Sequence, residues 1–172
     1  MRKTLQYVGT IFKHKWYVAL AGVALGVPLR RLVLHDMSKF ARAEMPAYRD
    51  RIANGGQIQD RRAWAYAWLN HQNRNPHHWE FWTFYWQDQG GGPGFYNGIV
   101  ENGCLPMPET YVREMVADWM GASRLYTGSW NIQDWLERNL PRMKLHPETR
   151  TLVGMILREV GQMKPRRWFF AE

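Results

Sequence analysis

Leu34-His35-Asp36-Met37-Ser38-Lys39 places an imidazole and a carboxylate side by side at the end of an apolar run, with an ammonium group three residues later. A neutral imidazole and a charge-compensating carboxylate are a common ligand pair for Zn, Mn or Fe. Both side chains can bind one cation if a helix ends at this point and both turn the same way. Adjacent His and Asp are more often capping or surface residues, so the pair needs support from the rest of the chain.

Apolar residues recur at helical spacing on both sides of this stretch. The pattern predicts a first helix over residues 3–25 and a second from about Pro28 to Met37, with the His-Asp pair near its C-terminus. Further helices are predicted over 41–54, 61–73, 77–86, 108–126, 131–139 and 147–163. The sequence shows no alternating strand pattern and no internal repeat. We therefore predict an all-α, single-domain bundle of about seven or eight helices over residues 1–172.

A glycine-rich segment, Gly90-Gly91-Gly92-Pro93-Gly94, separates the fifth and sixth predicted helices. Together with residues 95–107 it forms a long connection for which the pattern predicts no regular structure. Such a connection is typical of a lid over a cleft or of a disordered surface loop, and the sequence leaves both open.

Charge and aromatic content indicate the kind of partner. The formal net charge of +8 favours an anionic partner such as a nucleotide, a nucleic acid or a phosphorylated metabolite, although solubility alone can explain a basic surface. Ten tryptophans in 172 residues indicate a core and cleft walls built from large rings. A small anionic phosphorylated molecule is therefore the predicted partner, and nucleic acid is the alternative.

One cysteine and one short apolar run bear on the compartment. Cys104 is the single cysteine, which excludes an internal disulfide and a cysteine-based zinc site and is typical of a reducing cytoplasm. The run from Trp16 to Leu29 is 14 residues long, too short to span a bilayer. We predict a cytoplasmic protein that does not insert into a membrane.

Metal-ligand residue types recur along the predicted helices in the order His, His-Asp, His, His, Asp. The members are His14, His35, Asp36, His71, His77, His78 and Asp118. Each one alone is more often a satisfied core or capping residue. However, a carboxylate on an apolar helix face, such as Asp118 beside Met115 and Trp119, is costly unless it is paired or metal-bound. Together these residues predict a site for one or two divalent ions, with Fe, Mn, Zn, Co and Mg as candidates.

This order resembles the HD superfamily of metal-dependent phosphohydrolases, an all-helical fold with a divalent metal between its helices. The resemblance implies that a first metal is held by His14, His35, Asp36 and Asp118. In the two-metal members, the positions that match His71 and either His77 or His78 hold a second ion, and the aspartate of the dyad bridges both ions.

At closer range the chain resembles a family of small, mostly uncharacterised HD-like proteins of phages and bacteria. The resemblance covers about residues 10–125, and the predicted helices over 131–163 complete the bundle. Its motifs are His35-Asp36-x-Ser38-Lys39-Phe40, Trp68-x-x-His71, Asn75-x-His77-His78-Trp79, Met107-Pro108 and Glu114-Met115-x-x-Asp118-Trp119. This family implies a fold and a metal site but names no substrate.

Lys39 adds to the resemblance. A His-Asp-x-Gly-Lys motif occurs in the HD-GYP cyclic-dinucleotide phosphodiesterases and in diiron oxygenases such as myo-inositol oxygenase, and Ser38 replaces its glycine here. The Asp-Gly and Gly-Tyr-Pro elements that should follow His77-His78-Trp79-Glu80 in an HD-GYP protein are absent from the sequence. The chain is therefore not expected to be a true HD-GYP protein.

Further residues have predicted roles around the metals. Asp36 and Lys39 are candidate catalytic residues, and Lys39 and Arg42, one turn apart, are candidates to contact a phosphoryl group. Glu114 precedes Asp118 by four residues on one helix face, as a candidate general base or as a residue that orients a ligand. A solvent-facing Glu114 is the more common arrangement.

Four rings at helical spacing, Trp79, Trp82, Tyr85 and Trp86, favour core packing but could also form a wall on which a base stacks.

Three functions fit these features. The first is a phosphohydrolase that acts on a nucleotide or related phosphoester through metal-activated water. The second is a mixed-valent diiron oxygenase, which uses the same ligands with O₂ in place of water. The third is a basic, nucleic-acid-binding helical domain with a structural metal, although structural sites usually have four ligands and this chain offers more. The sequence leaves the substrate, the metal and the oligomeric state open.

Overall fold

The computed structural model describes residues 2–84 and 96–162, in which seven α-helices form the fold. The helices are α1 (Arg2–Ala24), α2 (Leu29–Leu34), α3 (Met45–Ala53), α4 (Arg61–Arg74), α5 (Glu109–Thr127), α6 (Gln133–Asn139) and α7 (Pro147–Gln162). Short 3-10 turns occupy Met37–Phe40, Trp79–Trp82 and Leu140–Arg142. In these ranges, β pairing is limited to two isolated bridges at Cys104. The predicted all-α bundle is confirmed.

Most predicted helices are present with small shifts at their ends. Asp60 is the N-cap residue of α4, and its carboxylate accepts a hydrogen bond from the backbone N–H of Ala63 (2.9 Å). Gly128 ends α5 in the left-handed region (φ 79°), which a glycine adopts without steric cost. Two boundaries differ more, because α2 already ends at Leu34 and α3 begins only at Met45.

The helix predicted over residues 77–86 is wrong in its described part. Asn75, which precedes a proline, is extended (φ −121°, ψ 97°), as steric contact with the Pro76 ring requires. A turn follows, in which the His78 N–H donates to the Asn75 carbonyl (2.9 Å) and the Trp82 indole donates to the Pro76 carbonyl (2.8 Å). The remaining predictions for this region, Tyr85, Trp86 and the glycine-rich segment, lie outside the described residues.

The main core lies where α1 packs against α5. Val18 and Ala21 of α1 and Val112 and Val116 of α5 are completely buried. Gly121 permits the close approach, because a Cβ atom at this position would lie 2.8 Å from the Val18 backbone nitrogen. Val18 follows His14 by one turn and Gly121 follows Asp118 by three residues, so this contact also fixes two of the predicted metal ligands.

A second, smaller core joins α1 to α3 and α4. Its buried members are Tyr7, Ile11, Tyr48 and Ala67. The Tyr7 hydroxyl donates to the Lys39 carbonyl (2.5 Å) and thereby ties the Met37–Phe40 turn to α1. None of the described helices combines the length and apolar character needed to cross a bilayer.

Candidate metal centre

The turn after α2 directs two ligand candidates into the protein. The helix ends at Leu34, His35 is extended in ψ (128°), and Asp36 is left-handed (φ 58°), a conformation that aspartate tolerates better than most residues. The Lys15 ammonium supports the helix end by donating to the carbonyls of Val33 and His35. As a result His35 and Asp36 are both buried, at 2% and 1% exposure. The helix thus ends next to the His-Asp pair, which is the condition under which both side chains can bind one cation.

A first group of ligand atoms surrounds Oδ2 of Asp36. The Nε2 atoms of His14 and His35 lie 3.2 and 3.5 Å from this oxygen. The same two nitrogens lie 3.0 and 3.4 Å from Oδ1 of Asp118. The four side chains therefore converge on one point between α1, α5 and the turn after α2.

A second group surrounds the other carboxylate oxygen of Asp36. Nε2 of His71 lies 3.3 Å from Oδ1, and Nε2 of His77 lies 3.5 Å from the same atom. His78 completes a set whose ligand atoms lie within 4.8 Å of one another. Both His77 and His78 thus belong to the group, although the sequence left open which of them binds. Asp36 is shared by the two groups.

The residues fit divalent ions in two respects. First, the buried Nε2 atoms of all five imidazoles in the two ligand groups make no hydrogen bond of acceptable geometry within the described residues, namely those of His14, His35, His71, His77 and His78. Buried polar atoms are rarely left unpaired, because this costs the full desolvation penalty. Second, ligands about 2.1 Å from one tetrahedral ion lie roughly 3.4 Å apart, which is close to the separations found here.

A buried carboxylate that sequence reasoning missed lies behind the second group. Glu44 is fully buried, and its Oε2 is 2.8 Å from Nδ1 of His71 and 3.0 Å from the Ser38 hydroxyl. The Asn75 amide donates to the Ser38 hydroxyl (2.8 Å) and to the His71 carbonyl (2.7 Å). Ser38, which replaces the glycine of the related motif, therefore takes part in holding His71. Glu44 follows the dyad without a periodic signal, and its partners come from the 3-10 turn and from α4.

Glu114 and Arg31 lie behind the first group. The solvent-facing interpretation of Glu114 is wrong, because its side chain is 1% exposed. Its Oε1 lies 3.1 Å from Nδ1 of His35, and its Oε2 accepts a hydrogen bond from Arg31 Nε (2.6 Å). The Arg31 guanidinium also lies over the Tyr111 ring, 3.9 Å from its centroid. Glu114 therefore contacts the Nδ1 edge of a ligand histidine, as a residue that orients ligands does.

The centre is electrostatically suited to positive charge. Burial alone would raise the pKa of Asp36, but His35 and Lys39 hold it well below its usual value. Asp118 behaves similarly, because the neighbouring imidazoles of His14 and His35 outweigh burial and lower its pKa. Conversely, burial disfavours the His14 and His35 cations, yet the neighbouring carboxylates raise the pKa of both. Either a proton or a metal ion at these Nε2 atoms can supply the positive charge that the carboxylates favour.

A protein-family profile matches residues 3–159, a range that contains every ligand candidate described above. Its description reads "Family of unknown function (DUF5662)". The chain belongs to the DUF5662 family. Searches of curated proteins and of solved structures found no match. For this DUF5662 protein, the chemistry must therefore be argued from the geometry of the site.

A cavity of about 970 Å³ opens onto the candidate centre of the DUF5662 chain. Side chains from both ligand groups line it, as does the Lys39 ammonium, which donates to Oδ2 of Asp36 (2.5 Å). Burial disfavours the Lys39 cation, but Asp36 and Asp118 raise its pKa above the usual value. The cavity thus places a cation beside the carboxylate shared by both ligand groups.

The predicted substrate contacts only partly coincide with the cavity wall. Arg42 is exposed and is not among the lining residues, whereas Arg51 and Arg138 are. Of the predicted stacking rings, Trp79 lines the cavity and Trp82 packs against the main core. Other rings, which sequence reasoning did not single out for this purpose, complete the wall, namely Tyr48, Trp68, Trp119, Tyr126 and Trp135.

Proposed function

We propose that this protein is a dinuclear, metal-dependent phosphohydrolase of the HD type that acts on a nucleotide or a related phosphoester. The observation that carries the proposal is the position of Asp36, whose two carboxylate oxygens face different sets of imidazole Nε2 atoms. A carboxylate placed in this way is suited to bridge two ions. The ligand groups offer four side chains each, with Asp36 in both.

Divalent ions held by these groups supply Lewis-acid polarisation of a phosphoryl oxygen and a water of lowered pKa. The residues of the chain supply binding and charge. Lys39 lies beside Asp36 and lines the cavity, so its ammonium is positioned to neutralise a phosphoryl oxygen that enters from the cavity. Glu114 and Glu44 accept hydrogen bonds from Nδ1 atoms and thereby direct the opposite nitrogens, Nε2, toward Asp36.

The cavity supports an aromatic, anionic substrate. The Trp119 and Trp135 rings lie with their centroids 5.2 Å apart on its wall, and stacking on such rings favours a base. Arg51 and Arg138 add positive charge to the same cavity. A nucleotide combines a planar ring with phosphate, which is the chemistry that this lining complements.

A diiron oxygenase is the second candidate, and the ligand set is the observation that favours it. The two groups together contain five imidazoles, and imidazole suits iron as well as zinc. This candidate predicts an iron-specific, O₂-consuming activity that Mn and Zn do not support. The phosphohydrolase predicts phosphate release without O₂.

The test begins with metal content per chain, measured by mass spectrometry on protein purified without chelator. We expect two ions in the wild type, one in His71→Ala, and two in Glu137→Gln, an exposed control on α6. Phosphate release from mono-, di-, tri- and cyclic nucleotides is then measured with Mn, Co, Fe and Zn. Protein that binds no metal after reconstitution contradicts the proposal. Protein that holds two ions but releases phosphate from none of these substrates contradicts the hydrolase and favours the oxygenase.

A further inference from the structure

Glu114 touches one imidazole from each ligand group through the same oxygen atom. Its Oε1 lies 3.1 Å from Nδ1 of His35, in the first group, and 3.4 Å from Nδ1 of His77, in the second. The two imidazole rings lie face to face at a tilt of 37°, with centroids 4.3 Å apart. The carboxylate therefore forms a second link between the groups, on the opposite side of these imidazoles from Asp36.

These three side chains could themselves be taken for a third metal site, since their ligand atoms also lie close together. Two observations argue against that assignment. The other oxygen of Glu114 accepts a hydrogen bond from Arg31 Nε at 2.6 Å, which places a guanidinium cation beside the site. The remaining nitrogens of His35 and His77 face Asp36, and an imidazole that offers Nε2 to an ion carries its proton on Nδ1.

The shared oxygen, Oε1, therefore accepts a hydrogen bond from Nδ1 of His35 and faces Nδ1 of His77 at 3.4 Å. One acceptor fixes the proton position and the ring orientation of both imidazoles at once. If one of the two rings rotates, Oε1 of Glu114 shifts and no longer holds the other ring in the same orientation.

We infer that Glu114 is a positioning residue that couples the two metal sites, so that an ion bound by the first group prepares the second group for its own ion. The inference rests on the dinuclear centre proposed above. An ion that fixes His35 also fixes Oε1 of Glu114, which holds His77 with its Nε2 atom toward Asp36. Coupling of this kind is reciprocal, so the first ion is also bound more tightly when the second is present.

Glu44 provides the matched comparison. It is a buried carboxylate that also accepts from a ligand imidazole, His71, but it contacts only the second group. Glu44→Gln should therefore weaken the second ion and leave the affinity of the first unchanged. In Glu114→Gln, the side-chain amide cannot present an oxygen both to the histidines and to Arg31, so both ions should be weakened, each by about tenfold or more.

The experiment is native mass spectrometry of full-length protein stripped of metal and given one equivalent of Co(II), which counts chains with zero, one and two ions. Wild type and Glu137→Gln should contain mainly chains with none and chains with two. Glu114→Gln should contain mainly chains with one, with a Co(II) electron-resonance signal that lacks coupling between ions. Titrations of both glutamate variants then report the affinity of the first ion, which should fall only in Glu114→Gln.

The inference is overturned if Glu114→Gln loads in pairs as the wild type does, or if it weakens the first ion no more than Glu44→Gln. A wild type that fills its two sites singly also overturns it, and this result leaves the dinuclear centre standing. A wild type that binds no Co(II) removes the centre and the inference together. Unfolding curves in chelator establish that each variant folds. Arg31→Gln removes the hydrogen bond to the other oxygen of Glu114 and provides a second test, in which both ions should again be bound more weakly than in the wild type.

Discussion

Helix α1 contributes to two regions, an apolar core and a polar cluster, and their buried atoms differ in whether they have partners within the protein. In the core against α5, Val18 and Ala21 are completely buried and are packed against apolar neighbours. One turn earlier, His14 is also buried, but its Nε2 atom faces two carboxylates without a hydrogen bond of good geometry. The first region is complete in the polypeptide itself, whereas the second has ligand atoms that need a cation.

The difference explains what each region contributes. Close packing in the core stabilises the fold and sets the distance between helices. The cluster of buried imidazoles and carboxylates opposes folding unless its charges are compensated. Substitutions in the core should therefore mainly change the free energy of unfolding. Substitutions in the cluster should mainly change metal content and activity.

The largest effect is expected for Asp36→Ala, because this change removes the only side chain common to both ligand groups. Metal content should fall from two ions to fewer than one per chain, and phosphate release should fall by about 10³-fold or more. Asp118→Ala, which belongs to the first group alone, should retain one ion. If Asp36→Ala retains two ions, the bridging role assigned to Asp36 is wrong.

A smaller effect, on stability, is expected for Gly121→Ala in the core. The new methyl group would lie 2.6 Å from Cγ2 of Val18 and 2.8 Å from its backbone nitrogen, so the helices must move apart. We expect a loss of about 1–3 kcal/mol in the free energy of unfolding, measured by urea denaturation.

Gly154→Ala on α7 is the matched control for Gly121→Ala. Its nearest new contact is the flexible end of Arg158 at 3.7 Å, and alanine is the better helix former. The control should therefore gain up to about 1 kcal/mol. Equal effects at the two glycines would show that the close contact between α1 and α5 is unimportant.

The smallest effect is expected at the half-buried ion pair between Arg113 of α5 and Glu159 of α7. The Arg113 guanidinium, 2.9 Å away, lowers the pKa of Glu159 below its usual value. A carboxyl whose pKa is lowered by folding stabilises the protein above its unfolded pKa, and this contribution is lost as the pH falls through the folded value.

Glu159→Gln should therefore reduce the free energy of unfolding by less than about 1 kcal/mol at pH 7, since the Glu159 side chain is 44% exposed and solvent screens the pair. Urea denaturation should show the difference from wild type shrinking as the pH is lowered below about 4. A difference that grows at low pH would assign the effect to something other than this ion pair.

The sequence by itself determined the all-α class, most of the helix positions and all seven ligand candidates. Helical periodicity is local information, and a histidine or aspartate on an apolar helix face is visible in the sequence because it conflicts with its neighbours. The gap between the helices predicted over 61–73 and 77–86 matches the end of α4, but the second of these helices does not form in the described residues 77–84.

Only the tertiary structure decided which atoms meet. The left-handed backbone of Asp36 presents one carboxylate oxygen to each ligand group, and no spacing rule predicts that division. Glu44, Arg31 and Glu114 are charged helix or turn residues by sequence, and solvent exposure is the usual expectation for such residues. Glu44 and Glu114 lie inside because the imidazoles next to them need Nδ1 partners, and Arg31 follows because it donates to Glu114. These needs exist only once separate helices have been packed together.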